Sequence, residues 1–173
     1  MLSDAVRKKF ENIVRGVIIE GQTDSVTTIR NYLCAGFSTS KKVKRDFESQ
    51  LIVKEKQAGR WTLPLKRQST KALIHGHCHE KALVGSRYLK EAVALAYPVE
   101  EIDSGCCGMA GSFGYEKEHY DVSLAIGGRR LFPAVEKNPD AIVVAPGVSC
   151  RQQVEHATGR RPLHPAEALI RAL

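Results

Sequence analysis

Four cysteines beyond residue 71 of this 173-residue chain are placed to do chemistry together: Cys78, Cys106, Cys107 and Cys150, spaced Cys-x27-Cys-Cys-x42-Cys. Their surroundings read HGHCHE, SGCCGMAGSFG and APGVSCRQQ. Thiolates are soft ligands, and four of them without a dedicated set of oxygen donors suit iron–sulfur first and zinc second. Zinc is satisfied by tetrahedral sulfur and nitrogen, and His77 or His79 can complete such a set. The usual zinc spacing, two Cys-x2-Cys knuckles, is absent, and spacing alone leaves both metals open. The adjacent pair Cys106–Cys107 also permits a vicinal disulfide or a thiol–disulfide switch. Cys34, the fifth cysteine, stands apart and reads as a small buried hydrophobe.

Adjacent side chains on a strand diverge. Gly105 and Gly108 flank the pair and allow a loop whose backbone turns both sulfurs toward one cavity. Free N–H groups in such a loop can donate to thiolates or inorganic sulfide, and those donors tune a cluster's potential. Gly105, Gly108, His77 and His79 are therefore the expected supporting groups around the sulfurs. Cys150 falls at the expected start of a helix, where the dipole favours a thiolate and lowers the thiol pKa. His75, His77 and His79 alternate and would share one face if the strand continued. His119, His156 and His164 read as caps or surface residues. Gly111, Ser112 and Gly114 carry only a weak anion-loop signal, since no phosphate motif is complete.

The elements that must position these residues alternate along the chain. KALIH (71–75) reads as a buried strand, residues 80–96 as one helix with Leu83, Val84, Leu89, Val93 and Ala94 inward, and residues 99–103 as a second strand. The turn-rich cysteine loop follows. Residues 120–135 read as one helix and DAIVVA (140–145) as the strongest strand. Residues 149–158 and 165–173 close the chain as helices, the latter with Pro165 in its first turn. Strands separated by helical stretches indicate βαβ units, hence an α/β fold with a parallel sheet and flanking helices. Ligands in such folds sit beyond the carboxyl ends of the strands. Three strand ends would deliver four sulfurs to that edge.

Hydrophobic residues make up 43%, charged residues 26% and aromatics 6%, a composition that fits an ordinary globular protein. No apolar run approaches the roughly 20 residues of a spanning helix, and MLSDAVRKKFENIVRG lacks a signal-peptide core. A cytoplasmic location without a transmembrane segment is the expectation. The net charge of +7 is uneven. Residues 1–71 carry 15 Lys/Arg against 7 Asp/Glu, and residues 72–173 carry 11 against 12. No nucleic-acid motif accompanies the basic front, so it reads as a solvated face or a docking surface for an acidic partner. Leu2 to Val17 shows helical spacing, Gly16–Glu20 reads as a short strand, and Thr28–Phe37 as a helix.

HCH, CCGMAGSFGYE, GVSCRQQ and GRRPLHPAEAL together resemble the cysteine-rich CCG domain, from about Lys71 to Leu173. More narrowly, they resemble the C-terminal iron–sulfur module of FAD-linked 2-hydroxyacid dehydrogenases of the D-lactate or glycolate type, related in turn to the cysteine-rich part of heterodisulfide reductase. The resemblance implies a cytoplasmic electron-transfer module, peripheral to the inner membrane face through its partners. Its iron–sulfur cluster, of 4Fe-4S type with zinc as the alternative, would be held by Cys78, Cys106, Cys107 and Cys150. FAD would sit only on a partner flavoprotein subunit or domain, electrons would pass to a further carrier, and nucleic acid would play no part. The chain would be an oxidoreductase component, not a complete catalyst. Two departures stand out. Gly147 occupies the first place of the family's closing Cys-x2-Cys, so a four-thiolate site is the expectation. No cysteine stands near Thr23–Val26, so residues 1–70 read as a basic, helical region, a degenerate remnant of a first repeat, preceding a domain at 71–173.

Overall fold

The computed structural model describes residues 48–59 and 64–173. Cys34 and the expected elements before residue 38 lie outside them. Helix α1 (Glu48–Gln57) is followed by an irregular stretch leading to strand β1 (Ala72–Ile74). Helices α2 (Cys78–Val84) and α3 (Arg87–Val93) lead to β2 (Val99–Glu101). After the cysteine loop and two short 3-10 turns come α4 (Tyr120–Gly128), α5 (Leu131–Glu136), β3 (Ile142–Val144), α6 (Val148–Thr158) and α7 (Pro165–Ile170).

The three strands form one parallel sheet in the order β2-β1-β3. Ala72 is level with Val99 on one side and Ile142 on the other. A central parallel strand is covered on both faces and so reads as a continuous apolar run. Each residue of β1 is fully buried, with Ala72 and Ile74 facing one core cluster and Leu73 the other. The first cluster gathers Leu89, Ala92 and Val93 of α3 with Ala168 and Leu169 of α7; the second gathers Leu131 and Val135 of α5 with Val154 of α6. The α/β architecture with a parallel sheet is the one the alternation indicates.

Two helices expected to be continuous are broken. Gly85 caps α2 with φ +71°, and the chain restarts at Arg87. The break resets the helical phase. Leu89 and Val93 stay inside as expected, while Leu83 and Ala94 are exposed. The second expected helix divides at Arg129–Arg130, and Arg130 forms an ion pair with Asp103 beyond β2. Pro165 does open α7, behind a capping box in which His164 accepts from the Ala166 N–H and Glu167 from the His164 N–H.

Candidate metal centre

All three strands run the same way, so their carboxyl ends meet at one edge. β1 ends in His75-Gly76-His77-Cys78, with the His75 N–H still bonded to the Val144 carbonyl at 2.9 Å. β2 leads through Ser104 into Gly105-Cys106-Cys107-Gly108. β3 leads through Pro146 and Gly147 into α6, whose first turn holds Cys150.

At this edge the sulfurs of Cys107 and Cys150 and a ring nitrogen of His75 all lie within 4.8 Å of one another, and all three residues are buried. Cys106 lies within reach of both the Cys107 and Cys78 thiols, and Cys150 feels the charge of all three other cysteines. Exposure is graded: Cys107 and Cys150 are buried, Cys106 is half-buried and Cys78 is exposed. The group therefore has a dry inner side and a wet outer side.

Backbone donors serve the sulfurs. The Gly108 N–H donates to Cys106 Sγ at 3.3 Å, and the Met109 N–H reaches Cys107. Gly108 has φ +100°, and a Cβ there would stand 2.0 Å from the Ser123 carbonyl oxygen of α4, so only glycine fits. Gly105 needs no such freedom; its φ is not positive and a Cβ there would meet nothing. The loop is tied down by Gln153, which donates to Ser123 Oγ at 2.8 Å, while Ser123 in turn contacts Met109 Sδ. Gly114 packs against the same two residues, and its N–H bonds the Met109 carbonyl. The weak anion-loop signal at Gly111–Gly114 thus coincides with a packing junction.

The buried thiols divide one negative charge unequally. Cys107 is held well below the usual thiol range: Cys150 donates to it, which outweighs burial, and His75 and the Met109 N–H add to the effect. Cys150 is pushed up, first by its hydrogen bond to Cys107, then by burial and the neighbouring cysteines. This corrects the expectation that a helix N-terminus lowers Cys150. The dipole acts there, but the adjacent thiolate dominates because two like charges in a dry site repel. Cys106 is raised by burial, against the Gly108 N–H. His77, half-buried, is lowered chiefly by burial, against the nearby Cys107.

His77 lies beside the group. A Cβ at Gly147 would meet its ring at 2.4 Å and Cys150 Sγ at 2.9 Å, so the missing side chain at 147 makes room for this ring. His79 is exposed, its ring 6.4 Å from that of His77. Sequence reasoning passed over His75, the histidine of the three that is buried with the sulfurs. The available signal was its place directly after the apolar run of a central strand. The remaining histidines do structural work: His119 stacks on Phe113 at 4.1 Å, His156 meets the Tyr120 hydroxyl at 2.6 Å, and His164 caps α7.

Soft sulfur donors, one buried thiolate and an imidazole make a donor set that fits a soft metal ion or an iron–sulfur cluster and offers nothing to calcium or magnesium. The family model of the cysteine-rich domain designated CCG matches residues 84–155. The chain is 37% identical over 114 residues to one of the subunits of anaerobic glycerol-3-phosphate dehydrogenase of Escherichia coli, a match covering 65% of this chain and 28% of that protein. It is 36% identical over 100 residues to D-2-hydroxyglutarate dehydrogenase of Pantoea ananatis, covering 56% of this chain and 10% of that protein. The E. coli D-2-hydroxyglutarate dehydrogenase is likewise 36% identical, over 98 residues. The chain thus spans well under a third of these relatives. No solved structure matches it.

Proposed function

We propose, from the match of residues 84–155 to the family model of the cysteine-rich CCG domain, that this chain is the iron–sulfur electron-transfer component of a flavin-dependent 2-hydroxyacid dehydrogenase. In this reading Cys78, Cys106, Cys107 and Cys150 hold the cluster, of 4Fe-4S type, and residues 71–173 form the domain that carries it. Bound there, the cluster would supply reversible one-electron exchange. The observation that carries the reading is the convergence of Cys107, Cys150 and His75 on one buried spot, with Cys106 and Cys78 on its outer side.

The chain's own residues account for the rest. The hydrogen bond from Cys150 holds Cys107 well below the usual thiol range, which favours the thiolate form that captures a metal ion. The N–H groups of Gly108 and Met109 aim positive dipoles at Cys106 and Cys107, stabilising added negative charge. Cys78 and the half-buried Cys106 put one side of the site near the surface, where an electron partner can approach. The relatives are dehydrogenases or dehydrogenase subunits by name. FAD and the hydroxyacid site would belong to a partner flavoprotein or domain, electrons would leave to a further carrier, and the basic residues 1–70 would offer the docking face. In this reading the module would work in the cytoplasm, peripheral to the inner membrane face through its partners. Among the described residues, no helix is long and apolar enough to cross a membrane.

The test is anaerobic reconstitution with iron and sulfide, followed by stepwise reduction with absorbance and electron paramagnetic resonance recorded together. The reading predicts a brown protein whose visible absorption bleaches and returns reversibly, with a paramagnetic signal in the reduced state. A colourless chain holding one zinc, inert to reduction, would replace it with a zinc-stabilised interaction module.

A further inference from the structure

We propose that His75 is a nitrogen ligand of the centre, binding through Nε2 beside Cys107 and Cys150, with Ser104 holding the ring in the tautomer that leaves this nitrogen free. His75 is completely buried. Its Nδ1 lies 2.7 Å from Ser104 Oγ. The Ser104 hydroxyl has its own acceptor, the Ile102 carbonyl at 3.4 Å, so Ser104 Oγ can accept the Nδ1–H. In that tautomer Nε2 carries a lone pair.

Nε2 makes no hydrogen bond of regular geometry, although the ring lies beside the Cys107 sulfur. A buried polar atom left unsatisfied costs about 1–3 kcal/mol, and buried polar groups are seldom left so. The sulfurs of Cys107 and Cys150 lie within 4.8 Å of one of its ring nitrogens. A cation placed between the ring and the two sulfurs would satisfy the buried nitrogen and bind both sulfurs. Ring orientation set by a hydrogen bond from the other nitrogen is the usual support of a histidine ligand, and imidazole replaces thiolate in some iron–sulfur centres, raising their potential. Ser104 holds the ring, the Val144 carbonyl holds the His75 backbone, and Lys81 Nζ fixes Ser104 in turn by donating to its carbonyl at 2.6 Å.

The proposal takes from the iron–sulfur reading only the identity of the metal, so two arms separate the two. In the first, full-length chain labelled with 15N-histidine is reconstituted with iron and sulfide, reduced, and examined by pulsed electron paramagnetic resonance. In the second, the metal-free chain is titrated anaerobically with Co2+ and its first coordination shell read by X-ray absorption. The expected results are the strong 15N coupling of a bound imidazole in the first arm and one nitrogen with two or more sulfurs in the second. The His75→Ala shell should contain no imidazole nitrogen. Ser104→Ala keeps the ring but frees it, and should weaken Co2+ binding about 10-fold. Should the His75→Ala chain fail to fold, His77→Ala and His79→Ala chains make the assignment: both should keep the 15N coupling and the Co2+-bound nitrogen, and loss of either signal in one of them would overturn the proposal. A cluster without 15N coupling overturns the proposal and leaves the electron-transfer reading standing, with Nε2–H donating to a sulfur instead. A Co2+ shell with nitrogen in a chain that takes up no iron keeps the ligand and removes the cluster. An all-sulfur Co2+ shell also overturns the proposal.

Discussion

Gly105 and Gly108 flank the same pair of cysteines, yet the structure asks different things of them. Gly108 lies at φ +100° against the α4 backbone, while Gly105 has open space around it. Gly108→Ala should therefore destabilise the protein by more than about 1 kcal/mol and shift the backbone N–H that serves Cys106 out of place. Gly105→Ala should change stability by no more than about 0.5 kcal/mol. Thermal melts of the two variants side by side check this, and equal effects would refute the assignment. The difference was not legible in the sequence, where both glycines look equally suited to a turn. What distinguishes them is the approach of α4, a contact between distant parts of the chain. Cys150 carries the same lesson: its place at a helix start was readable, but its raised pKa follows from Cys107, 43 positions away in the sequence and adjacent in space.

The strands β1 and β3 were the most legible elements, because ALI is a buried apolar run between Lys71 and His75 and IVV is the centre of the apolar run AIVVA between Asp140 and Pro146. The helix breaks were not. A single glycine inside a helical pattern is compatible with a continuous helix, and only the packing of Leu89 and Val93 against β1 reveals that the phase resets at Gly85. Gly85, at φ +71° and ψ 178°, occupies a region that essentially only glycine adopts, and Gly85→Ala should cost about 1–3 kcal/mol. Metal content should stay unchanged, since Gly85 lies away from the sulfurs; a melt and a metal assay on that variant decide the point.

Glu101 at the end of β2 joins the two halves of the broken helix, pairing with Lys90 of α3 at 2.5 Å and Lys81 of α2 at 3.8 Å. Burial pushes its carboxyl up, but hydrogen bonds from Lys90 and Ser86 and the charges of both lysines prevail, and its pKa falls below the ordinary 4.5. The folded carboxyl thus holds its proton less tightly than the unfolded one. Its contribution is complete above the ordinary value and is lost as the pH falls through the lowered one. Melts at pH 7 and pH 3.5 should show a smaller acid-induced drop in Glu101→Gln than in the parent chain. An identical drop would mean that the ion pairs contribute nothing.

The parallel sheet brings Cys107, Cys150 and His75 together beyond its carboxyl edge. That cysteines gather at this edge was readable from the order of elements alone, because three strand ends precede the cysteines in the same sense. His75 was harder to see, since its burial depends on β1 lying between β2 and β3. Donors from three separate strand ends are brought together by folding, so a bound centre should in turn stabilise the fold. The melting temperature should rise on anaerobic loading and return on chelation, and an unchanged value would show that the cysteines do not share a ligand. The most direct measurement is iron, acid-labile sulfide and zinc quantified together in anaerobically purified protein. The account predicts iron and sulfide in equal amounts with negligible zinc, and sharply reduced iron in Cys107→Ser. Zinc alone, or iron and sulfide unchanged in Cys107→Ser, would contradict it.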